Sequence, residues 1–349
     1  MREHGDYKVE IVDSNNKIKR FIRFPSKIYD RHGLNQDKKV ERQILTGKHT
    51  LSHYFDAVGF IVTSNNDNEV VARCIVTLYK DDINAYVGFF ESIDNVKAVR
   101  ELFNSVEEYA IAHNKSRLIG PVDSSFWIKY RFKITEFANY TLEPTNKPYY
   151  PDLWQGIGFG VYEKYYSNQL RIPTESDRNP KYQKRLLQCI ETGYTIRNTS
   201  RKTFDTDLKN IYKLLIEVYA KFPIFKHIEE KEFLKLFSKI RYILDYRMVF
   251  LAYKESELLG FMVCIPNYKR ETIIQSLLGK HKEYVMMYLG ASRNAPGLGG
   301  AFSELCRANL AKYKCSCIAA LIHKGNTSGT FYKELTIDTC NYVLLSKEL

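Results

Sequence analysis

Three glycines crowd into four positions of the stretch RNAPGLGGAFSELC, which runs from Arg293 to Cys306. Gly297, Gly299 and Gly300 lack a Cβ, so the backbone there can adopt positive φ and come close to a bound group. Apolar residues recur at helical spacing behind them, which predicts a helix N-terminus at the glycines. Its unpaired N–H groups and positive dipole end suit an anion such as a phosphate. The same pattern also fits a plain turn before a helix.

Several other residues could take part in chemistry, and each has a structural alternative. His323, at the end of a predicted strand, is either a base or a structural residue. Asp123 in GPVDSSFW either orients an acceptor amine or caps the turn that follows. The basic runs KYQKR (181–185) and HKEY (281–284) either contact phosphates or form solvated faces. Four aromatic residues either line an acceptor groove between the two halves or pack in a core: Trp127, Tyr149, Tyr150 and Trp154.

The cysteines and histidines do not predict a metal site. The seven cysteines form no CxxC pair and have no histidine at metal-ligand spacing, and the eight histidines lie in no zinc, protease or hydrolase motif. We therefore expect all seven cysteines to be reduced and structural, and no metal in the protein.

Length, composition and charge limit the class of protein. A chain of 349 residues with 44% hydrophobic and 26% charged residues suits two globular domains. No apolar run approaches the length of a membrane span and the N-terminus is too polar for a signal peptide, so we expect a cytoplasmic protein. The net charge of +12 is either a solvated surface or favours an anionic partner. Such a partner could be CoA phosphates, an acidic carrier protein, tRNA or an anionic membrane face.

The elements that must position these residues occur in the same order twice. Each half is predicted as a hairpin, a strand, a long amphipathic helix, a strand, a short helix and a final strand. Near the N-terminus IKRFIRFP (18–25) is predicted as a strand, and Asp94 as the cap of the first long helix. TSGTFYKEL (327–335) is predicted as the second short helix.

This internal repeat predicts an α/β (α+β) protein of two domains, each a mixed, mostly antiparallel sheet flanked by helices. The first domain is expected over residues 1–172 and the second over residues 201–349. Residues 173–200 begin polar and proline-bearing, so we expect a linker and a connecting strand there.

The glycine turn between the fourth strand and the long helix of the second half resembles the GNAT superfamily of N-acyltransferases. That family holds the pyrophosphate of CoA with a [QR]-x-x-G-x-[GA] turn, and NAPGLG, Asn294 to Gly299, matches it except for Asn294. Leu289 falls where the family has a strand residue whose backbone binds the pantetheine arm. The resemblance implies a set of CoA-binding residues: Leu289, Ala291, Asn294, Gly297, Leu298, Gly299, Gly300 and Ala301.

The resemblance also implies catalytic residues. Asn326 and Tyr332 in GNTSGTFYKEL resemble the family's Asn and Tyr near the departing thiol, with a spacing one residue shorter than the commonest form. Tyr332 would then protonate the leaving thiolate. The strand YVMMYLGAS has no glutamate, although many GNAT enzymes keep a base on this strand.

The first half resembles a bacterial subgroup of N-acetyltransferases with two GNAT-like halves. FIRFPSKIYD, VGFFESID, LIGPVDSSFW and PYYPDLWQGIGF carry this resemblance. However, ESIDNVKAV has no glycine turn where CoA would need one. The resemblance therefore implies that the first domain does not hold CoA in the usual way.

We thus expect an acyl-CoA-dependent N-acyltransferase that moves an acetyl or longer acyl group to the amine of a small molecule or peptide. Two alternatives stay open. One is an acyl or peptidyl transferase of the same tandem fold that uses aminoacyl-tRNA or an acyl carrier protein, which the charge and Asn294 favour. The other is a non-catalytic binding protein.

Overall fold

The computed structural model describes residues 2–30, 33–271, 275 and 279–349, which divide into two compact units. Unit 1 comprises Met1–Ile134, Pro144–Lys164 and Tyr342–Leu349, and unit 2 comprises Thr135–Glu143 and Tyr165–Asn341. The last eight residues, expected in the second domain, thus pack in unit 1, because Leu345 to Glu348 pair with a strand of that unit.

The elements of unit 1 follow the chain from its start. Its helices are α1 (Asn15–Arg23), α2 (Pro25–Ile28), α3 (Lys38–Leu45), α4 (Val96–Ala112) and α5 (Tyr150–Gln155). Its strands are β1 (Arg2–His4), β2 (Tyr7–Ile11), β3 (Phe55–Ser64), β4 (Val70–Tyr79), β5 (Asn84–Ser92), β6 (Arg117–Gly120) and β7 (Phe132–Lys133). The chain passes between the units along β8 (Gly160–Leu170) and β14 (Thr336–Glu348).

The sheet of unit 1 is antiparallel except at one pair. Strands β1 to β6 lie in chain order, the end of β14 lies beside β6, and only β5 and β6 run parallel. Helix α4 covers one face with a stripe of buried residues that recurs at helical spacing: Ala98, Val99, Leu102, Phe103, Val106 and Ala110. This stripe packs with the aromatic rings of Phe90, Trp154 and Phe159.

Unit 2 repeats this plan. Its helices are α6 (Pro180–Glu191), α7 (Phe204–Tyr219), α8 (Glu230–Phe237) and α9 (Leu298–Tyr313). Its strands are β9 (Tyr194–Asn198), β10 (Val249–Lys254), β11 (Glu257–Pro266), β12 (Glu283–Ala291) and β13 (Ser316–His323). The sheet order is β8, β13, β12, β11, β10, β9, and only β12 and β13 run parallel. The predicted fold class, two mostly antiparallel sheets flanked by helices, is confirmed.

Four local predictions differ from the structure. IKRFIRFP forms α1 and α2 instead of a strand, because Ser14 caps the helix and Ile18, Phe21 and Ile22 lie on one buried face. Asn95, not Asp94, caps α4, and its side chain accepts the N–H groups of Lys97 and Ala98. The expected linker 173–200 contains α6 as well as the strand β9, and TSGTFYKEL forms two short 3-10 turns.

Candidate functional site

The parallel strands of unit 2 separate part of the way along. β12 and β13 pair from Glu283 and Ser316 to Met286 and Ala319. Beyond that point β12 pairs with β11 alone, and β13 pairs with β8. Within the described part of the chain, no backbone hydrogen bond joins residues 287–291 to residues 320–325. An opening therefore lies at the carboxyl ends of the two strands, where sheets of this kind bind ligands.

The glycine turn follows directly after this part of β12. Gly297 has φ +98° and ψ −19°, a left-handed conformation that favours glycine, and α9 begins at the next residue. The first hydrogen bond of the helix joins the Ala301 N–H to the Gly297 carbonyl at 3.0 Å. The N–H groups of Leu298, Gly299 and Gly300 therefore have no partner inside the helix, and no described side chain caps them. Such a helix end can hold an anion.

Gly299 and Gly300 also have a packing role. A Cβ on Gly299 would stand 2.9 Å from the ring of Phe331, and one on Gly300 would stand 3.0 Å from the ring of Tyr182. The first distance is too short for a carbon–carbon contact and the second is unusually tight, so these glycines let two aromatic side chains pack on the first turn of α9. A larger residue at Gly299 would disturb this packing as well as any ligand.

Positive charge lies beside the turn. Arg185, from KYQKR on α6, places its Cδ 3.4 Å from where a Cβ of Gly297 would stand, and its side chain is exposed. Arg293 and Asn294 are exposed at the turn itself. The run HKEY lies at the opposite end of β12, where Tyr284 is buried and donates its hydroxyl to Asp245 at 2.6 Å. Of the two basic runs, only KYQKR is near the glycines.

The other residues of the predicted CoA-binding set lie along β12 and α9. Leu289 and Ala291 are partly buried on β12, and the Leu289 carbonyl accepts the Tyr219 hydroxyl at 3.4 Å. The side chains of Leu298 and Ala301 are fully buried in the core of unit 2. Only the backbone of these two residues can therefore contact a ligand.

The two predicted catalytic residues have different surroundings. Tyr332 is buried and donates its hydroxyl to the Ser303 carbonyl of α9 at 3.3 Å. Burial raises the pKa of this phenol well above its usual value. Asn326 is exposed, and its N–H donates to the His323 carbonyl at 3.0 Å. The structure does not give either residue a reaction partner, so their roles stay predictions.

In unit 1 the corresponding opening is filled by the chain itself. β5 and β6 pair from Asn84 and Arg117 to Tyr86 and Ile119. The chain after β6 then returns to β5. The Val122 N–H donates to the Val87 carbonyl at 2.8 Å, and the Asp123 carboxylate accepts the Phe89 N–H at 2.5 Å.

The backbone of Phe89 and the pKa of Asp123 both reflect the contact between this loop and β5. Phe89 lies in a β-bulge with φ 49°. Burial raises the pKa of Asp123 to about 6, against the pull of Lys129 and of the Phe89 N–H. Asp123 thus joins its loop to β5 by a hydrogen bond. The sequence alone suggests a residue that orients an amine or a turn cap, and neither describes this contact.

The other residues that the sequence singled out have packing or sheet contacts in the structure. Trp154 and Tyr150 lie in the core of unit 1, so for them packing is the correct interpretation. His323 pairs with Tyr165 in the sheet and contacts the rings of Tyr165 and Phe222. All seven cysteines are free and buried.

The described residues contain neither a metal-binding group of side chains nor a membrane-spanning helix. Among the described residues no group of His, Cys, Asp and Glu side chains could hold a metal ion. None of the helices in the described ranges is long and apolar enough to cross a membrane.

No protein-family model and no curated protein matches this sequence. Solved structures do match. A tandem GNAT protein from the clavulanic acid biosynthesis pathway, solved without AcCoA, superposes with a TM-score of 0.52 at 11% identity and covers 98% of both chains. A GCN5-related N-acetyltransferase from Sphaerobacter thermophilus gives 0.53 at 12% identity over 98% of this chain and 95% of that one.

A third match, a GCN5-related N-acetyltransferase from Anabaena variabilis ATCC 29413, gives a TM-score of 0.53 at 8% identity, over 97% of this chain and 72% of that one. At such low identity the likeness concerns the fold and not the chemistry. It extends over both units, and it agrees with the repeated order of elements. The chain therefore has the tandem GNAT fold.

Proposed function

We propose that the protein is an acyl-CoA-dependent N-acyltransferase with its donor site in unit 2. One observation carries the proposal: the opening between β12 and β13 lies next to an uncapped helix end that begins with a glycine turn. The opening offers strand backbone to an extended thiol arm, and the helix end offers N–H groups to a diphosphate. CoA combines these two chemical parts, and the neighbours of the same fold include GCN5-related N-acetyltransferases.

The chain supplies binding and orientation for this reaction. The N–H groups of Leu298, Gly299 and Gly300 would bind the pyrophosphate, with Arg185 adding positive charge. The backbone of Leu289 would bind the pantetheine arm, as the resemblance implies. The amine of the acceptor attacks the thioester carbonyl, so that a C–N bond forms and the C–S bond breaks. The amine nitrogen loses one proton to solvent and the departing thiolate gains one, which leaves the amide and the free thiol of CoA. Holding the two reactants together and donating backbone hydrogen bonds to the oxyanion are the main sources of rate.

Tyr332 is the proposed proton donor to the thiolate. A phenol with an ordinary pKa near 10 suits a thiolate of comparable basicity. In the structure its hydroxyl is turned toward the Ser303 carbonyl, and burial raises its pKa. A raised pKa makes the phenol a weaker proton donor. The role therefore requires the hydroxyl to leave Ser303, reach the sulfur and have a pKa closer to its ordinary value there. Asn326 at the neighbouring turn is the second proposed catalytic residue.

The net charge favours a second donor class. With 52 basic and 40 acidic side chains, the protein would attract an acidic acyl carrier protein or tRNA. We propose such a donor only as the alternative. It predicts an affinity for the carrier or tRNA that falls steeply with ionic strength.

Calorimetry and native mass spectrometry with acetyl-CoA test the main proposal. We expect one molecule bound per chain, because unit 1 fills its own opening. Pantetheine, which lacks the diphosphate, should bind far more weakly than CoA. If pantetheine and CoA bind equally well, the glycine turn does not bind the diphosphate. Two CoA molecules per chain would show that unit 1 also binds CoA. If no acyl-CoA binds, the main proposal fails, and the acyl carrier protein and tRNA remain as donors to be tested.

A further inference from the structure

An apolar cavity lies in unit 2 between helices α7 and α8 and the sheet. The empty space between these elements is about 540 Å³ when the open solvent at its mouth is included, so the enclosed part is much smaller. The sheet face that lines it is the one opposite α9: Val263 and Tyr288 line the cavity, whereas Met262 and Met286 pack toward α9. Helix α7 contributes Leu208, Ile211 and Leu215, and α8 contributes Phe233.

The polar groups in the lining are already engaged with each other. The Asp207 carboxylate accepts two hydrogen bonds from Arg197, at 3.0 and 2.6 Å. It also accepts the hydroxyls of Thr199 at 2.7 Å and Tyr253 at 3.0 Å. These bonds offset the burial of the carboxylate. A charged or strongly polar ligand would gain little in such a cavity, and an aliphatic one would gain the free energy of leaving water.

The cavity begins beside the strand opening. Tyr288 precedes Leu289 and lies beyond the last pair that β12 makes with β13. Leu215 lies one helical turn before Tyr219, whose hydroxyl contacts the Leu289 carbonyl at 3.4 Å. From Leu215 the lining follows α7 back to Phe204, a length of ~16 Å at the rise of an α-helix. A thioester held at the opening would thus have this apolar lining next to its acyl group.

We infer that this cavity holds the acyl chain of the donor, so that the preferred donor is a medium- or long-chain acyl-CoA and not acetyl-CoA. The inference rests on the proposed function, because it needs the thioester at the β12–β13 opening. An amine acceptor fits the cavity less well, since Asp207 already neutralises Arg197 and has its oxygens occupied.

A chain-length series tests the inference. We would measure Kd by calorimetry for acetyl-, butyryl-, hexanoyl- and octanoyl-CoA with the full chain. Each methylene that enters the cavity should lower Kd about fourfold, which is ~0.8 kcal/mol converted at 1.4 kcal/mol per tenfold. The Ile211→Phe variant, which fills part of the cavity, should shorten the chain length at which Kd stops falling. The control is Ile111→Phe, which changes an exposed isoleucine on α4 of unit 1 and should keep the full chain-length dependence.

The outcomes separate this inference from the proposed function. If acetyl-CoA and octanoyl-CoA bind equally well, the cavity does not hold the chain, while acyl-CoA binding itself stands. The same conclusion follows if Ile211→Phe keeps the full chain-length dependence. If no acyl-CoA binds, the proposed function fails and this inference fails with it. The wild-type series decides the matter even if the variant does not fold.

Discussion

In each unit the two parallel strands stop pairing part of the way along. The two units differ in what bonds to the backbone beyond that point. In unit 1 the Val122 N–H bonds to the Val87 carbonyl, the Asp123 carboxylate takes the Phe89 N–H, and the Asn95 side chain caps α4. In unit 2 the backbone of 287–291 has no hydrogen bond to β13, and the first N–H groups of α9 have no described cap. Unit 1 thus satisfies these polar groups internally, whereas in unit 2 the described residues contain no equivalent bonds between β12 and β13 and no cap on α9.

This difference concerns how the backbone groups beside the parallel strands are satisfied. Buried backbone groups need partners, and a chain can supply them from a loop or leave the place to a substrate. A Cβ on Gly88 would overlap the Val122 carbonyl, so the loop of unit 1 lies directly against the strand. This contact is the reason why the proposed donor site is placed in unit 2 and not in unit 1.

The largest effect is expected from Gly88→Ala. The added methyl group would displace the 122–123 segment, break its hydrogen bonds and lower the free energy of unfolding by about 3 kcal/mol. Urea unfolding measures this. Gly160→Ala is the matched control, because a Cβ at Gly160 meets no atom within 4 Å. If both variants unfold at the wild-type midpoint, the loop is not packed against β5 and the comparison between the units breaks.

Tyr332→Phe tests whether the opening of unit 2 is where the reaction takes place. The variant keeps the ring and removes the hydroxyl, so turnover should fall by about 10²-fold if Tyr332 protonates the thiolate. Loss of the bond to Ser303 costs about 1 kcal/mol of stability in either case, so kcat and not Tm is decisive. Tyr284→Phe is the control, since it removes another buried tyrosine hydroxyl at the far end of β12. Unchanged kcat in Tyr332→Phe would exclude the proposed role.

The buried carboxylates of unit 1 predict a pH dependence of stability. Burial raises the pKa of Glu91 from 4.5 to about 7, although Arg73 and the Tyr150 hydroxyl, which donates at 2.6 Å, oppose this shift. The folded pKa lies above the unfolded one, so the folded state favours the proton. The stabilising contribution is complete below about pH 4 and is lost as the pH rises to about 7.

We therefore expect the contribution of Glu91 to the free energy of unfolding to fall by about 2 kcal/mol between pH 4 and pH 7. Glu91→Gln should remove this part of the slope, and the part that comes from Asp123 should remain. Glu108→Gln, at an exposed position of α4, is the control and should keep the slope. A slope that Glu91→Gln leaves intact would mean that Glu91 is ionised over the whole range. Arg73 and the Tyr150 hydroxyl would then outweigh the effect of burial on this carboxylate.

The sequence predicted the features that depend on local pattern. The glycines before an amphipathic stretch placed the start of α9, and the repeated order of elements predicted the two-part fold. The missing glycine turn in ESIDNVKAV also pointed to a first half without the usual CoA site. These signals are local because helix starts and alternation are set by near neighbours.

Long-range pairing could not be predicted in this way. Nothing in LIGPVDSSFW shows that Val122 returns to Val87, since that bond joins residues far apart in the chain. The apolar positions Ile18, Phe21 and Ile22 fit a helix, but the run is short and β-branched residues favour a strand interpretation. The closeness of Arg185 to Gly297 depends on the packing of α6 on α9, which no spacing in the sequence reveals.

Arg185→Gln should give the smallest effect and the finest test of the site in unit 2. The Arg185 side chain packs along the glycine turn and is exposed. Its hydrogen bond to Gln188 is long, at 3.5 Å, and therefore weak. Its charge can therefore reach a diphosphate, although solvent weakens the interaction. We expect CoA to bind about threefold to tenfold more weakly, with a smaller salt dependence, and pantetheine to bind as before. The control is Lys184→Gln, which removes one positive charge from the preceding position of α6 and should change the Kd for CoA less. Equal effects of the two variants would mean that only the general positive field attracts CoA, and that the glycine turn has no arginine partner.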